Sequence, residues 1–296
     1  MGGSLSDHRA RLREHGQAHL LDFWDRLDEA GRAGLLDQVA AIDWDLVRTM
    51  RAALPGSDAQ PANAAAEGPI APVAPDRLTE SDRASARQAG EAALSRGEIG
   101  VLLVAGGQGT RLGFEGPKGT FALAPLSQSS LFAIHARKVL ALRRQFSRPV
   151  PFFIMTSQAN DAETRRFFEQ HRFFGLPADE VFFFAQGMYP ALWPDGRIVL
   201  EAPGRLFLAP DGHGGILAAL RRTGMLDRMG QRGLKTLFYF QVDNPMVEIA
   251  DPEFIGLHLQ GRAEMSLKVC AKRDPEEGMG VVVRRGSRYG MVEYTE

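Results

Sequence analysis

From residue 98 onward, short apolar runs alternate with longer stretches of helical periodicity. The runs 99–104 (IGVLLV), 150–155 (VPFFIM), 181–184 (VFFF) and 236–242 (TLFYFQV) are too short for long helices and are bounded by Gly, Pro or Asp. They predict buried strands. Between them, 129–146, 161–172 and 214–223 read as helices; in the first, Phe132, Val139 and Phe146 recur every seven residues. Continuously apolar strands alternating with helices predict a mostly parallel, doubly wound α/β sheet. The start of the chain differs. Leu12, His15, His19, Leu20 and Phe23, then Leu35, Leu36, Val39, Ile42, Leu46 and Val47, predict helices over 5–53. Residues 80–95 read as one more helix. Between them, 54–75 carries five prolines among many alanines and reads as a linker. At the other end, MSLKVCA, GVVVRR and YGMVEYTE predict strands joined by hairpin-type turns. The domain expectation is a helical region over 1–95 and a main α/β domain over 96–296.

Composition narrows the classes. The 35 basic and 36 acidic residues nearly cancel, which argues against a basic nucleic-acid surface. No run of 18 apolar residues occurs, so no membrane helix is expected, and the polar Met1–Ala10 stretch reads as no signal peptide. The single cysteine, Cys270, excludes an internal disulfide and a multi-cysteine zinc site, which suits a reducing, cytoplasmic setting. It sits in an apolar run and is expected to be a small buried hydrophobe. The phenylalanine pairs (152–153, 167–168, 173–174) and the 182–184 triplet read as core. Only five residues are lysines, so Lys118 inside a motif stands out.

That motif follows the first core strand: Ala105-Gly106-Gly107-Gln108-Gly109-Thr110-Arg111-Leu112-Gly113, then Phe-Glu-Gly-Pro117-Lys118-Gly119. A glycine-rich turn at the carboxyl end of a strand is where open α/β sheets bind ligands. Without Cβ atoms, backbone N–H groups can approach phosphate oxygens. Arg111 and Lys118 add two cations suited to a triphosphate. The dinucleotide fingerprint fails because position 112 is Leu rather than Gly, and the P-loop fails because Pro117 precedes the lysine. The blander alternative is a structural turn with solvated cations.

The run LLVAGGQGTRLGFEGPKG resembles the signature of the nucleotide-sugar pyrophosphorylases, in particular the eukaryotic-type UDP-sugar group, and within it the UDP-N-acetylglucosamine enzymes. Further similarities follow in order: Gly16–Trp24, which looks like that family's first helix; Ile154–Ser157; Phe184–Met188; Ala209–Gly215; Val242–Asn244; and Val292–Tyr294. The resemblance implies a Rossmann-like, GT-A-like nucleotidyltransferase fold with a helical N-terminal region and a small antiparallel β section for the sugar. It implies uridylyl transfer from UTP to a sugar 1-phosphate, most simply N-acetylglucosamine 1-phosphate, with Mg²⁺ as cofactor. Ala105, Gly106 and Gly107 would carry the nucleotide, Gln186 the uracil edge and Gly212 the nucleotide again. Arg111 and Lys118 would hold the triphosphate, and Asp243, ending a strand, would bind both nucleotide and metal. His213, Gly280, Glu293 and Tyr294 match sugar-pocket positions.

Three alternatives stay open. Where His213 stands, the N-acetylglucosamine enzymes carry Asn and UDP-glucose pyrophosphorylases carry His, which brings in glucose 1-phosphate or a broader range of sugars. The family pattern also runs on past the position matching Glu296 and includes a phosphate-binding lysine there. The chain is therefore expected to be the front part of such a fold, and nucleotide binding without turnover is a further reading.

Overall fold

The computed structural model describes residues 4–54, 70, 72–286 and 288–292. The helices are α1 (Leu5–Glu14), α2 (Glu29–Ala40), α3 (Trp44–Ala52), α4 (Glu80–Ser95), α5 (Leu131–Phe146), α6 (Asp161–Gln170), α7 (Ile216–Arg222), α8 (Met225–Gln231) and α9 (Pro252–Gln260). The strands are β1 (Ile99–Val104), β2 (Phe152–Thr156), β3 (Val181–Ala185), β4 (Met188–Pro190), β5 (Leu200–Ala202), β6 (Arg205–Leu206), β7 (Leu208–Pro210), β8 (Thr236–Gln241), β9 (Val281–Arg285) and β10 (Arg288–Val292). The chain packs as two units.

The larger unit, residues 71–187 and 212–277, holds a four-stranded sheet in the order β3-β2-β1-β8. Every neighbouring pair is parallel. Strand periodicity sends alternate residues to opposite faces. Val101, Leu103, Phe152 and Ile154 pack with Leu94, Phe132, Val139, Phe168 and Ile255. Leu102, Phe153 and Met155 pack with Ala219, Leu220 and Met229. Both faces are therefore covered by helices, as the doubly wound expectation requires, and a strand buried on both sides must be apolar throughout. The phenylalanine pairs belong to this interior. Helices α4 and α9 meet through two glycines. A Cβ on Gly90 would lie 1.9 Å from the Pro252 carbonyl oxygen, and one on Gly256 would lie 1.7 Å from that of Ala86. Only glycine permits backbones to approach this closely.

The smaller unit comprises residues 1–70, 188–211 and 278–296 as far as they are described. Leu12, Leu20, Leu35, Val39 and Val47 form its core with Ile198 and Leu206. The side chain of Gln17, fully buried, donates to the Gly196 carbonyl at 2.9 Å and accepts from the Ile198 N–H at 2.8 Å. Strand β4 pairs with β7, β5 with β6 and β9 with β10, all antiparallel.

Several expectations change. The linker read over 54–75 lies mostly outside the described residues. The stretch Gly16–Trp24 is not the first helix. Helix α1 ends at Glu14, Gly16 takes φ +68°, and two 3₁₀ turns follow. A left-handed residue ends a helix, and Gln17 is already committed to backbone groups. The run 265–272 forms no strand, although Met265, Leu267 and Val269 alternate as a strand would. No described strand pairs with it, and those three side chains are 50–75% exposed. Cys270 within it is exposed rather than buried. The hairpin expected further on is present as β9–β10.

Candidate active site at the carboxyl edge of the sheet

Parallel pairing brings all four carboxyl ends of the large sheet to one edge. The Ala105 N–H bonds the Met155 carbonyl at 2.8 Å, that of Gln186 bonds Thr156 at 2.8 Å, and that of Val242 bonds Val104 at 3.0 Å. Val104 and Val242, 138 positions apart in sequence, become neighbours along this edge because register fixes them there.

The glycine-rich loop folds back on itself. The Gly109 N–H reaches the Gly116 carbonyl at 2.9 Å, and the Lys118 N–H reaches that of Gly107 at 3.0 Å. Lys118 is thereby returned to the start of its own loop. The glycines serve distinct needs. A Cβ on Gly106 would lie 2.8 Å from Nε2 of Gln186. One on Gly119 would enter the Phe132 ring at 2.2 Å. Gln186 is 5% exposed, and its side-chain amide makes no hydrogen bond to any described residue. A buried amide beside a glycine backbone is suited to an external hydrogen-bonding edge.

Opposite the loop, Lys118 Nζ donates to Asp243 Oδ2 at 2.9 Å. Burial works to raise the Asp243 carboxyl, but the hydrogen bond and charge of Lys118 outweigh it, helped by His213, and hold it below the usual carboxylate range. The turn carrying Asp243 is clamped from behind by α5. His135 Nε2–H donates to the Val242 carbonyl at 2.9 Å, while Lys138 Nζ donates to the carbonyls of Pro245 at 2.5 Å and Val247 at 2.8 Å. His135 is fully buried, and burial pushes its imidazole below its ordinary value. Its Nδ1 is buried without a partner among the described residues, which fits a neutral ring carrying its proton on Nε2.

The second glycine turn, Gly212–Gly215, leads into α7. Gly212 takes φ +54°, and beyond its chain neighbours no described atom lies within 4 Å of a Cβ built on Gly212 or Gly214. His213 stands between them, with Nδ1 hydrogen-bonded to the Tyr239 hydroxyl.

The structure thus brings Ala105, Gly106, Gly107, Lys118, Gln186 and Asp243 to one edge, and His213 close enough to Asp243 to act on its charge. Arg111 lies on an exposed 3₁₀ turn and pairs with no described residue. Gly280 precedes β9 in the smaller unit, and Glu293 and Tyr294 lie outside the described residues. Three residues at this edge escaped sequence reasoning: His135, Tyr239 and Asn160. Asn160 is fully buried. Its Nδ2 donates to the carbonyls of Ala105 at 3.0 Å and Gly107 at 3.4 Å, and its Oδ1 accepts from the Ser157 N–H at 2.8 Å. An Asn just before α6 reads as a helix cap, yet it makes no cap bond there. It holds the glycine loop instead.

A parallel sheet with a glycine loop, a lysine and an aspartate at its carboxyl edge defines a Rossmann-like, GT-A-like nucleotidyltransferase fold. The chain belongs to the UTP–glucose-1-phosphate uridylyltransferase family, which it matches over residues 58–296. It is 38% identical to UDP-N-acetylglucosamine diphosphorylase 2 of Arabidopsis thaliana, over 99% of this chain and 62% of that protein. It is 36% identical to human UDP-N-acetylhexosamine pyrophosphorylase-like protein 1, over 99% of this chain and 61% of that one. The crystal structure of the UDP-N-acetylglucosamine pyrophosphorylase of Trypanosoma brucei, solved with an inhibitor, superposes with a TM-score of 0.79 at 34% identity, covering 99% of this chain and 62% of that one. The chain therefore spans about three fifths of the length of these relatives. Among the described residues, no helix is long and apolar enough to cross a membrane, and no group of three His, Cys, Asp or Glu side chains could hold a metal.

Proposed function

We propose that this chain carries the nucleotide half of a uridylyltransferase that joins UTP and a sugar 1-phosphate into a UDP-sugar and pyrophosphate. The observation that carries this reading is the Lys118–Asp243 pair, 2.9 Å apart at the mouth of the glycine loop. A cation and a carboxylate held together beside exposed backbone amides suit a triphosphate, which supplies anions to the one and a metal to the other. N-acetylglucosamine 1-phosphate is the favoured acceptor, because relatives at 38% and 34% identity carry that sugar in their names. His213 is the observation favouring glucose 1-phosphate as the second choice.

In the reaction, a phosphate oxygen of the sugar 1-phosphate attacks the α-phosphorus of UTP in line. The bond from that phosphorus to the β-phosphate oxygen breaks, and pyrophosphate leaves with the electron pair. No covalent enzyme intermediate is needed, so the protein's work is positioning and charge stabilisation. The backbone of Ala105–Gly107 receives the phosphates, and the Gln186 amide receives the uracil edge. Lys118 turns from Asp243 to the pyrophosphate end, with Arg111 entering from its exposed turn; the guanidinium offers a fork and the ammonium a point charge. Asp243 stays ionised and would hold Mg²⁺. A single carboxylate is sufficient when substrate phosphates complete the shell, so the residues present fit the ion. Magnesium bound there would supply neutralisation of phosphate charge.

The test is pyrophosphate release by the chain with UTP, Mg²⁺ and each sugar 1-phosphate in turn. Release with N-acetylglucosamine 1-phosphate is expected. UTP binding without release under every condition would replace transfer with nucleotide binding alone.

A further inference from the structure

The hydrogen bond between His213 and Tyr239 can run in either direction, set by the tautomer of the imidazole. Tyr239 lies on β8 between Phe238 and Phe240, which are 6% and 5% exposed. Strand alternation turns it to the opposite face, where it keeps 42% of its surface. Its hydroxyl meets His213 Nδ1, and the two rings pack edge to face with centroids 5.9 Å apart and planes at 84°. Burial around the hydroxyl pushes the phenol up to about 12, so it remains protonated at any working pH. Among the described residues, the hydroxyl hydrogen has no acceptor other than Nδ1, and Nε2 of the same ring has no partner. Were the ring to donate through Nδ1, the phenol hydrogen would be left without a protein acceptor. The favoured arrangement is O–H to Nδ1, which places the imidazole proton on Nε2.

We infer that Tyr239 is a specificity-determining positioning residue: it donates to His213 Nδ1 and so fixes a single Nε2–H donor for an oxygen of the sugar. The inference rests on the proposed uridylyltransferase reading and extends it to the sugar half. Beyond its chain neighbours, a Cβ built on Gly212 or Gly214 would meet no described atom within 4 Å, and the side-chain hydrogen bond that the His213 ring makes among the described residues is to Tyr239. The Tyr239 hydroxyl and ring edge, reaching from a strand, hold the ring. A ring fixed in this way recognises an acceptor, either a hydroxyl oxygen of the hexose or the carbonyl oxygen of an N-acyl group. A carboxamide at the same position would offer a donor and an acceptor together, so the pair favours sugars that present an acceptor there.

Two measurements on the full chain test this. Nitrogen-15 spectra of histidine-labelled protein should show His213 with Nδ1 unprotonated and Nε2 protonated, and the reverse tautomer overturns the inference. Calorimetry should show that Tyr239→Phe binds UDP as the unaltered protein does but binds UDP-N-acetylglucosamine and UDP-glucose about tenfold more weakly, the effect of one lost hydrogen bond. In a His213→Asn background, Tyr239→Phe should add nothing. Equal weakening of UDP and the UDP-sugars, or additive losses in the double variant, would overturn the positioning role. UDP binding with unchanged UDP-sugar affinity sinks this inference and leaves the uridylyltransferase reading standing. No UDP binding by the unaltered protein sinks both.

Discussion

Two glycine-rich turns serve the same unit and are built in opposite ways. In the 105–119 loop, hydrogen bonds to carbonyls and close side-chain contacts fix the chain. Its carbonyls are taken by Asn160 and by its own backbone, and Cβ atoms at Gly106, Gly109 or Gly119 would fall 2.2–2.8 Å from neighbouring side chains. In the 212–215 turn, the space around Gly212 and Gly214 is open, and among the described residues a single side-chain hydrogen bond holds His213. The contrast teaches a division of labour. A triphosphate is the same in every turnover, so its cradle gains from rigidity and preorganisation. A sugar is where related enzymes differ, and a turn held by one replaceable contact can be retuned without disturbing the cradle.

The largest effect should come from the point where the rigid loop meets Asp243. Lys118→Met should lower kcat for pyrophosphate release by about 10³-fold, with Lys118→Arg recovering little, because a fork does not replace a point charge at this site. Next, Gly106→Ala should raise the KM for UTP about tenfold by displacing Gln186, with kcat less affected. Asn160→Ala leaves loop carbonyls without their buried donor, and denaturant titration should find the protein about 2 kcal/mol less stable.

The pH dependence of stability probes the clamp behind Asp243. Burial depresses the folded-state value of His135, so the unfolded chain takes up a proton first as pH falls. Its contribution is complete above the ordinary value of 6.5 and declines as pH falls from there towards the depressed folded value. The decline adds up to about 1.4 kcal/mol per pH unit, and His135→Gln should remove that part of the slope in denaturation at pH 7.5 and 5.5. The smallest effect belongs to the open turn. Gly214→Ala should change the KM for UTP by less than about twofold. A tenfold change there would erase the distinction between the turns.

Much of the sheet was legible because burial on both faces demands unbroken apolar runs, which no other element of that length shows. The four core strands lie within two residues of their expected limits, and α4 matches its expected 80–95 span. The glycine loop was legible because its composition is costly anywhere but at a close backbone approach. The failures have two causes. Met265, Leu267 and Val269 carry strand alternation, but a strand needs a ladder partner and none of the described strands provides one. Asn160, His135 and Tyr239 matter through partners 55, 107 and 26 residues away, which neither spacing nor propensity encodes. Each of the three instead suggested an ordinary local role, as cap, helix residue or strand aromatic.

The unpaired run near residue 270 has a practical side. Cys270 is the chain's one thiol, and it is exposed. A maleimide dye will therefore attach at a single known position in the unaltered sequence. The label would sit ten residues after α9 and outside the nucleotide cradle, on a segment whose apolar side chains face solvent. A fluorophore there reports, by anisotropy or colour, any change in what surrounds that segment when nucleotide is added. The same thiol also calls for a reducing agent during purification, since two such chains can couple through it.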